Sequence, residues 1–193
     1  MKKTIIIAAL LFSFSNTIKA QGFTFGIKAG AEMLKLSGKS FDEEFAFGYH
    51  LGGFAEIKLN KTFGIQPELY YSSTSMKTAN TLDPIYTNVD LKYIKLGYIN
   101  IPILLNIKPS KKFAFQIGPR YGILSNSSLS VRQNAENAFK SGDFALVTGI
   151  QLNLSKIRVY GRYQIGLTDI NDATSEEKWK SQTLHIGVGL RIL

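Results

Sequence analysis

Apolar and polar residues alternate most regularly between residues 98 and 124 of the chain. Every odd position from Ile99 to Ile107 is Ile or Leu, and the even positions include Asn100 and Asn106. The odd positions from Phe113 to Ile123 are again apolar, and polar residues 108–112 separate the two runs. Because a period of two is the signature of a β-strand, this stretch predicts a β-hairpin with one apolar and one polar face.

The same unit recurs along the whole chain. Eight alternating stretches are predicted as strands, at residues 23–34, 47–59, 63–73, 98–107, 113–124, 144–154, 157–168 and 183–193. The connections after strands one, three, five and seven are long and polar, whereas those after strands two, four and six are tight. In an antiparallel meander this rhythm places all tight turns at one end, as in transmembrane barrels with short periplasmic turns and longer outer loops.

Alternation alone leaves open which face meets water, because a soluble lipocalin-like barrel also has eight meandering strands. Two groups of aromatic residues on the apolar face favour a membrane. One group lies at the tight-turn end (Phe23, Phe25, Phe63, Phe113, Phe115) and the other toward the long-loop end (Tyr49, Tyr71, Tyr93, Tyr121, Phe144). Such groups match the aromatic girdles at two membrane interfaces. We therefore predict an all-β fold, an eight-stranded antiparallel up-and-down transmembrane β-barrel with its aliphatic face on lipid.

The polar face of this barrel carries charges of both signs. An eight-stranded barrel is only wide enough for side chains to fill, and a desolvated charge without a partner costs several kcal/mol. The inward charges are therefore predicted to pair in a network that plugs the lumen. Its members are Lys28, Glu32, Glu56, Glu68, Arg120, Arg158, Arg162 and Arg191. The alternative interpretation of the same residues is a narrow pore for small solutes.

The N-terminus has the features of a secretory signal peptide. Lys2 and Lys3 precede a short apolar run from Ile5 to Phe14, and Ala20 is a suitable residue before the cut. The run is well under the roughly 20 residues that a membrane-spanning helix needs. Residues 1–20 are thus predicted to be a cleaved signal peptide, and residues 21–193 a single barrel domain.

Composition limits the chemistry further. The chain has 193 residues and no cysteine, so disulfides, thiol chemistry and cysteine metal sites are excluded. The net charge is +9, and loss of Lys2, Lys3 and Lys19 with the signal peptide leaves +6. For an exported protein, the expected anionic neighbours are outer-membrane lipid and lipopolysaccharide rather than nucleic acid.

The two histidines, His50 and His185, are the only obvious catalytic candidates. They would suit a lipid A-modifying enzyme, but both are predicted on the polar face and thus away from lipid, and no serine spacing marks a nucleophile. No metal-binding motif is present, and the acidic residues between Asp169 and Glu177 are most simply a solvated loop. The sequence therefore predicts no catalytic residue, no metal and no cofactor.

Five short motifs resemble a known family: GIKAG at Gly26–Gly30, QPELYYS at Gln66–Ser72, YINIP at Tyr98–Pro102, QIGPRYG at Gln116–Gly122 and GRYQIGLTDI at Gly161–Ile170. In their order they resemble the PorT-like, or porin family, outer-membrane β-barrel proteins of Bacteroidetes. The resemblance implies a single eight-stranded barrel in the cell outer membrane, with no catalytic residues to carry over. One branch of that family assists a secretion system. The chain departs from the pattern at Asn100, where an acidic residue is common, and at Leu193, where an aromatic residue often closes the barrel.

These observations together predict an integral outer-membrane barrel of a Gram-negative cell with a structural or accessory role. A protein partner is expected at its extracellular loops or periplasmic turns, either in secretion or in binding surface ligands. A small-solute porin and a lipid A-modifying enzyme are the two alternatives.

Overall fold

The computed structural model of the protein describes residues 22–37, 46–76, 94–127, 142–168 and 180–193. Eight strands are present: β1 (Phe23–Ser37), β2 (Ala46–Lys58), β3 (Phe63–Met76), β4 (Ile94–Ile107), β5 (Phe113–Ser127), β6 (Gly142–Leu154), β7 (Ile157–Gly166) and β8 (Lys180–Arg191). Each strand pairs antiparallel with the next, and β8 returns to pair with β1, so the barrel is closed. The predicted fold class is confirmed. The predicted signal peptide lies outside the described residues.

Several strands extend further toward the long connections than the alternation predicted. β1 continues to Ser37, β3 to Met76 and β5 to Ser127, and β4 begins at Ile94. The added residues of β3 lie in a segment, starting at Thr74, that the sequence predicts to be a polar connection, and their outward position Ser75 is polar. A strand that rises above the apolar band needs no apolar face, although its backbone still pairs with its neighbours. The backbone hydrogen bonds between strands therefore extend beyond the apolar–polar alternation. β7 does the reverse and ends at Gly166 instead of 168.

The three tight connections have local hydrogen bonds and backbone geometry that explain their sequences. Asn60 Oδ1 accepts bonds of 2.8 Å from the backbone N–H groups of both Thr62 and Phe63. Ser110 Oγ accepts one of 3.2 Å from the N–H of Phe113. Ser155 takes a left-handed conformation with φ of 58°, which lets β6 reverse into β7 over two residues. Short polar side chains are what such turns require.

The outward face is apolar from one aromatic group to the other. Phe25 and Phe63 lie at the tight-turn end and Tyr121 and Phe144 at the other, with their rings exposed; Tyr93 lies outside the described residues. Between them stands a band of exposed aliphatic side chains, of which Leu69 is 57% exposed. Other members of this band are Leu51, Ile101, Ile103, Leu146, Ile150, Ile165, Ile186 and Val188.

A water-soluble protein rarely exposes a continuous apolar surface of this size. The aliphatic side therefore faces lipid hydrocarbon, and the barrel spans a membrane. None of the described residues forms a helix long and apolar enough to cross a membrane.

The inward face includes glycines at positions where neighbouring backbone comes too close for a side chain. A Cβ on Gly52 of β2 would collide with the carbonyl oxygen of Leu69 and with the backbone of Tyr70 on β3. A Cβ on Gly30 of β1 would meet the carbonyl oxygen of Ile186 and the ring of His50. These glycines give the large inward side chains their space, as expected in a narrow barrel.

Two glycine substitutions test this packing as a matched pair. Gly52→Ala forces backbone atoms of β3 to move, and we expect it to lower the free energy of unfolding by about 1–3 kcal/mol. Gly161→Ala, on the outward face of β7 with nothing within 4 Å of the added Cβ, should be neutral or raise stability by about 0.5 kcal/mol. Urea unfolding of both variants in lipid vesicles measures the difference. Equal stabilities would contradict the inward packing.

Candidate functional site

The barrel lumen is crossed by direct side-chain contacts between β3 and β7. These strands are four apart in a closed barrel of eight, so they lie on opposite sides. Arg158 Nη1 donates to Gln66 Oε1 at 3.1 Å, and Gln164 Nε2 donates to the Tyr70 hydroxyl at 3.0 Å. Between these two contacts, Arg162 donates to both oxygens of Glu68 at 2.8 Å. We call these three the cross-lumen contacts. They join opposite walls of the barrel across the lumen.

Glu68 is the centre of the lumen network. Besides the two bonds from Arg162, it accepts one from Lys28 Nζ at 2.6 Å and one from Gln66 Nε2 at 2.7 Å. Lys28 Nζ also lies over the rings of Tyr70 and Tyr160, at 4.4 and 4.7 Å from their centroids. All of these side chains are buried. The carboxylate and the aromatic faces compensate the two cations for lost water.

A second ion cluster lies at the tight-turn end. Arg158 Nη2 contacts Glu56 Oε2 at 2.7 Å, and Lys108 reaches the other oxygen of Glu56 from the turn after β4. The guanidinium of Arg158 also stacks 4.5 Å from the centroid of the Phe54 ring. Glu56 is thus a buried carboxylate that contacts two cations at this end of the lumen.

Amide side chains connect these two ion clusters. Asn106 Nδ2 donates to Gln66 Oε1, and Gln116 Nε2 donates to Asn106 Oδ1, both at 2.8 Å. Gln116 Oε1 in turn accepts from Arg162 Nε at 2.8 Å, and Gln116 Nε2 also lies 3.1 Å from Gln151 Oε1. Each amide offers a donor and an acceptor, so the chain of bonds continues without an unpaired group.

The long-connection end of the lumen has a different composition. Glu32 Oε2 lies 3.3 Å from His185 Nε2, and Glu32 Oε1 accepts a 2.5 Å bond from the Thr74 hydroxyl. The imidazole of His50 stacks on that of His185 with centroids 4.7 Å apart, and its Nε2 lies 2.8 Å from the Tyr160 hydroxyl. We call Glu32, His50 and His185 the histidine cluster. One ligand atom from each lies within 4.8 Å of the other two.

An ion pair and a cavity border the histidine cluster. Arg120 forms an ion pair with Asp143 and donates a 2.5 Å bond to Asn100 Oδ1, and the Thr168 hydroxyl donates to Asp143 at 2.9 Å. Beside this pair is a cavity of about 40 Å³, whose walls include both Glu32 and His185. Its other lining residues come from the long-connection ends of the strands: Leu34, Tyr70, Ser72, Thr74, Leu96, Tyr98, Asn100, Arg120, Asp143, Gln164, Ser181 and Thr183.

The structure places seven of the eight sequence-predicted lumen charges in buried contacts. Arg191 is the exception: it is partly exposed, and no ion pair among the described residues includes it. Two ion-pair members were missed. The sequence predicts Lys108 in a turn, but its side chain returns into the lumen. Asp143 directly precedes the sixth strand predicted from Phe144, but β6 begins at Gly142. The sequence did contain a signal for Asp143: it lies two residues before Ala145 and four before Val147, so the period of two places all three on the inward face.

No sequence signal indicated the histidine cluster. Spacing along the chain contains no metal motif, because the three residues lie on β1, β2 and β8. The strand register brings them together: Glu32 pairs with His185 across β1 and β8, and Gly30 pairs with His50 across β1 and β2. The inward direction of both histidines was predicted, and they are 1% and 2% exposed.

Comparison with known proteins gives a family and a set of similar folds. Residues 14–172 match the family described as outer membrane protein beta-barrel domain. Neisserial surface protein A is similar over 88% of this chain and 99% of its own, with 15% identity and a TM-score of 0.54. OprG of Pseudomonas aeruginosa covers 89% and 96%, with 16% identity and a TM-score of 0.52. Ail of Yersinia pestis covers 89% and 99%, with 14% identity and a TM-score of 0.51. At these identities the likeness concerns the fold. No curated protein sequence matches the chain.

Removing the central carboxylate tests the lumen network. Glu68→Gln leaves Lys28 and Arg162 buried without their anion, and we expect it to lower the free energy of unfolding by about 3–5 kcal/mol. Adding Lys28→Met should recover part of this loss, because one stranded cation is removed. Glu136→Gln, in a long connection, controls for the loss of one negative charge. Reversible unfolding in lipid vesicles measures all three, and a Glu68→Gln variant as stable as the control would contradict the assigned role.

Proposed function

Since the chain belongs to the outer membrane protein beta-barrel domain family, we propose that it is a closed, non-conducting barrel that presents its long connections as an interaction surface. The cross-lumen contacts carry the first half of this proposal. Arg162 and Glu68 reach each other from opposite walls, and the amide chain fills the space between the ion clusters. An eight-stranded barrel filled in this way has no continuous water path for a solute.

The orientation follows from the connections. In barrels of this type the short turns are periplasmic and the longer loops extracellular, so the four long connections face outward. Export would use residues 1–20 as a cleaved signal peptide. The five PorT-like motifs support the narrower proposal that the chain is an accessory barrel of the Bacteroidetes type, in which a partner protein would dock on the exposed connections.

Charge is divided unequally between the two ends. The four long connections, residues 38–45, 77–93, 128–141 and 167–179, hold ten acidic and six basic residues. The three tight connections hold five lysines and no acidic residue: Lys61, Lys108, Lys111, Lys112 and Lys156. The outer end would therefore favour a basic partner surface. The lysines other than Lys108, which pairs with Glu56 in the lumen, would meet lipid phosphates of the inner leaflet. Ail has been crystallised with the heparin analogue sucrose octasulfate, a polyanion. The net acidic connections of the present chain do not favour such a ligand.

The two alternative functions receive no support from particular residues. A porin requires an open bore, and the cross-lumen contacts between opposite walls argue against one. A lipid A-modifying enzyme requires catalytic groups that reach lipid, whereas His50 and His185 point into the lumen and are buried there.

Conductance in planar lipid bilayers tests the closed lumen. We expect no steady current from the intact protein, with a known porin as the positive control. A variant with Lys28→Ala, Glu68→Ala and Arg162→Ala loses the central layer of side chains without leaving a stranded charge. Current bursts in this variant alone would identify the Glu68 cluster as the closure. A steady current through the unaltered barrel would overturn the proposal.

Partner capture tests the interaction surface. Intact protein in outer-membrane vesicles is cross-linked and purified, together with a variant carrying Asp172→Asn, Glu176→Gln and Glu177→Gln in the last long connection. Because the proposed partner is basic, we expect this variant to lose it. A matched variant with Lys111→Gln and Lys112→Gln changes the opposite end and should retain it. The reverse result would place the interaction at the periplasmic end and contradict the proposal.

A further inference from the structure

We infer that the histidine cluster is a binding site for a divalent transition-metal ion, with Zn²⁺ the ion whose chemistry fits it best. Two imidazoles and one carboxylate are a donor set that zinc commonly uses in proteins. Glu32, His50 and His185 supply this set from β1, β2 and β8, and all three are buried. The site adjoins one of the cross-lumen contacts, because Gln164 Nε2 lies 3.2 Å from His185 Nε2.

The spacing of the donor atoms suits a tetrahedral ion. Zinc–ligand bonds of about 2.0–2.1 Å place neighbouring ligand atoms about 3.3 Å apart. His185 Nε2 and Glu32 Oε2 are 3.3 Å apart. One ring nitrogen of His50 lies within 4.8 Å of one ligand atom from each of the other two residues, a gap that side-chain rotation can close.

His50 supplies the independent observation. Its side chain is 1% exposed, and its Nδ1 has no hydrogen-bond partner, one of two such buried side-chain atoms in the described part of the chain. An unpaired buried nitrogen is costly and requires a reason. Its Nε2 lies within hydrogen-bond distance of the Tyr160 hydroxyl, which fixes the ring and leaves Nδ1 as the nitrogen available to bind a metal ion. A metal-binding histidine is typically oriented in this way through its second nitrogen.

The charges around the cluster also favour a cation at Glu32. Among the described residues, Glu32 is the lumen carboxylate whose ion-pair partner is neither lysine nor arginine. The nearby cations are engaged by other acids, Lys28 and Arg162 by Glu68 and Arg120 by Asp143. A buried carboxylate beside two imidazoles therefore has no lysine or arginine in an ion pair with it, and a bound divalent ion would take that position.

The adjacent cavity gives the ion an approach and a free coordination position. Its volume of about 40 Å³ exceeds the roughly 10–15 Å³ that one water requires, and its walls include Glu32 and His185. A zinc ion with three protein ligands usually keeps a fourth position for water. The cavity lies at the end of the barrel whose connections are net acidic, which would concentrate cations there.

The chain is well suited to a direct test, because His50 and His185 are its only histidines. Tag-free protein labelled with ¹⁵N-histidine is folded in detergent micelles and titrated with zinc chloride, followed by imidazole NMR and isothermal calorimetry. We expect both imidazole spin systems to shift together and to saturate at one ion per chain. Unchanged histidine signals at excess zinc would overturn the inference, and would identify the Glu32 contact as a plain hydrogen bond.

Four variants separate the site from the fold. Glu32→Gln and His50→Ala should abolish saturable binding, and Tyr160→Phe should weaken it by about tenfold because it removes only the bond that orients His50. Glu56→Gln removes a lumen carboxylate at the opposite end and should bind zinc like the parent. Heat-modifiable migration on gels checks that each variant is folded. Binding that survives in folded His50→Ala, or that is lost equally in Glu56→Gln, would contradict the site. The titration is independent of conductance and partner capture, so it can fail while the proposed function holds, and the reverse.

Discussion

The structure depends on one requirement: every charge inside a narrow barrel must find its partner inside the same barrel. Glu68 shows how strict this is, because one carboxylate serves Arg162 from the opposite wall and Lys28 from a nearer one. The desolvation cost of an ion is several kcal/mol, and in a low dielectric the attraction between partners offsets it only when the geometry is good. Bidentate pairing from a planar guanidinium provides that geometry. The apolar exterior and the polar interior are therefore two sides of one solution, in which lipid accepts the aliphatic side chains and the ion clusters hold the strands together across the axis.

The sequence was sufficient for the fold because alternation and connection length are local properties. Each strand carries its own period of two, so the assignment of Ile103 to lipid and of Glu68 to the lumen needed no knowledge of the neighbours. The tight turns indicated an antiparallel meander in the same way. Strand ends were harder, since above the membrane neither face must be apolar. Asp143 was missed for this reason, although it stabilises Arg120 inside the lumen.

Pairing inside the lumen could not be derived in the same way, because it depends on register and closure. Glu32 and His185 are far apart in the sequence and become neighbours only when β8 closes onto β1. Lys108 illustrates a second difficulty: its backbone belongs to a turn, but its long side chain bends back to reach Glu56. A sequence gives the direction in which a residue points, whereas its partner depends on the stagger of all eight strands.

The two ends of the lumen differ in how completely their polar groups are satisfied. At the tight-turn end and in the middle, amides and ions form continuous hydrogen bonds through Gln66 and Gln116. The two unpaired buried side-chain atoms of the described residues, His50 Nδ1 and Arg120 Nε, both lie toward the long connections. In the proposed function the cross-lumen contacts alone close the barrel, so the remaining length of the lumen is free to serve another purpose. Unsatisfied polar capacity tends to persist where a ligand uses it. The barrel thus combines two different halves. The half toward the tight turns is stabilised by continuous hydrogen bonds, and the half toward the net acidic long connections contains the unpaired polar atoms and the cavity.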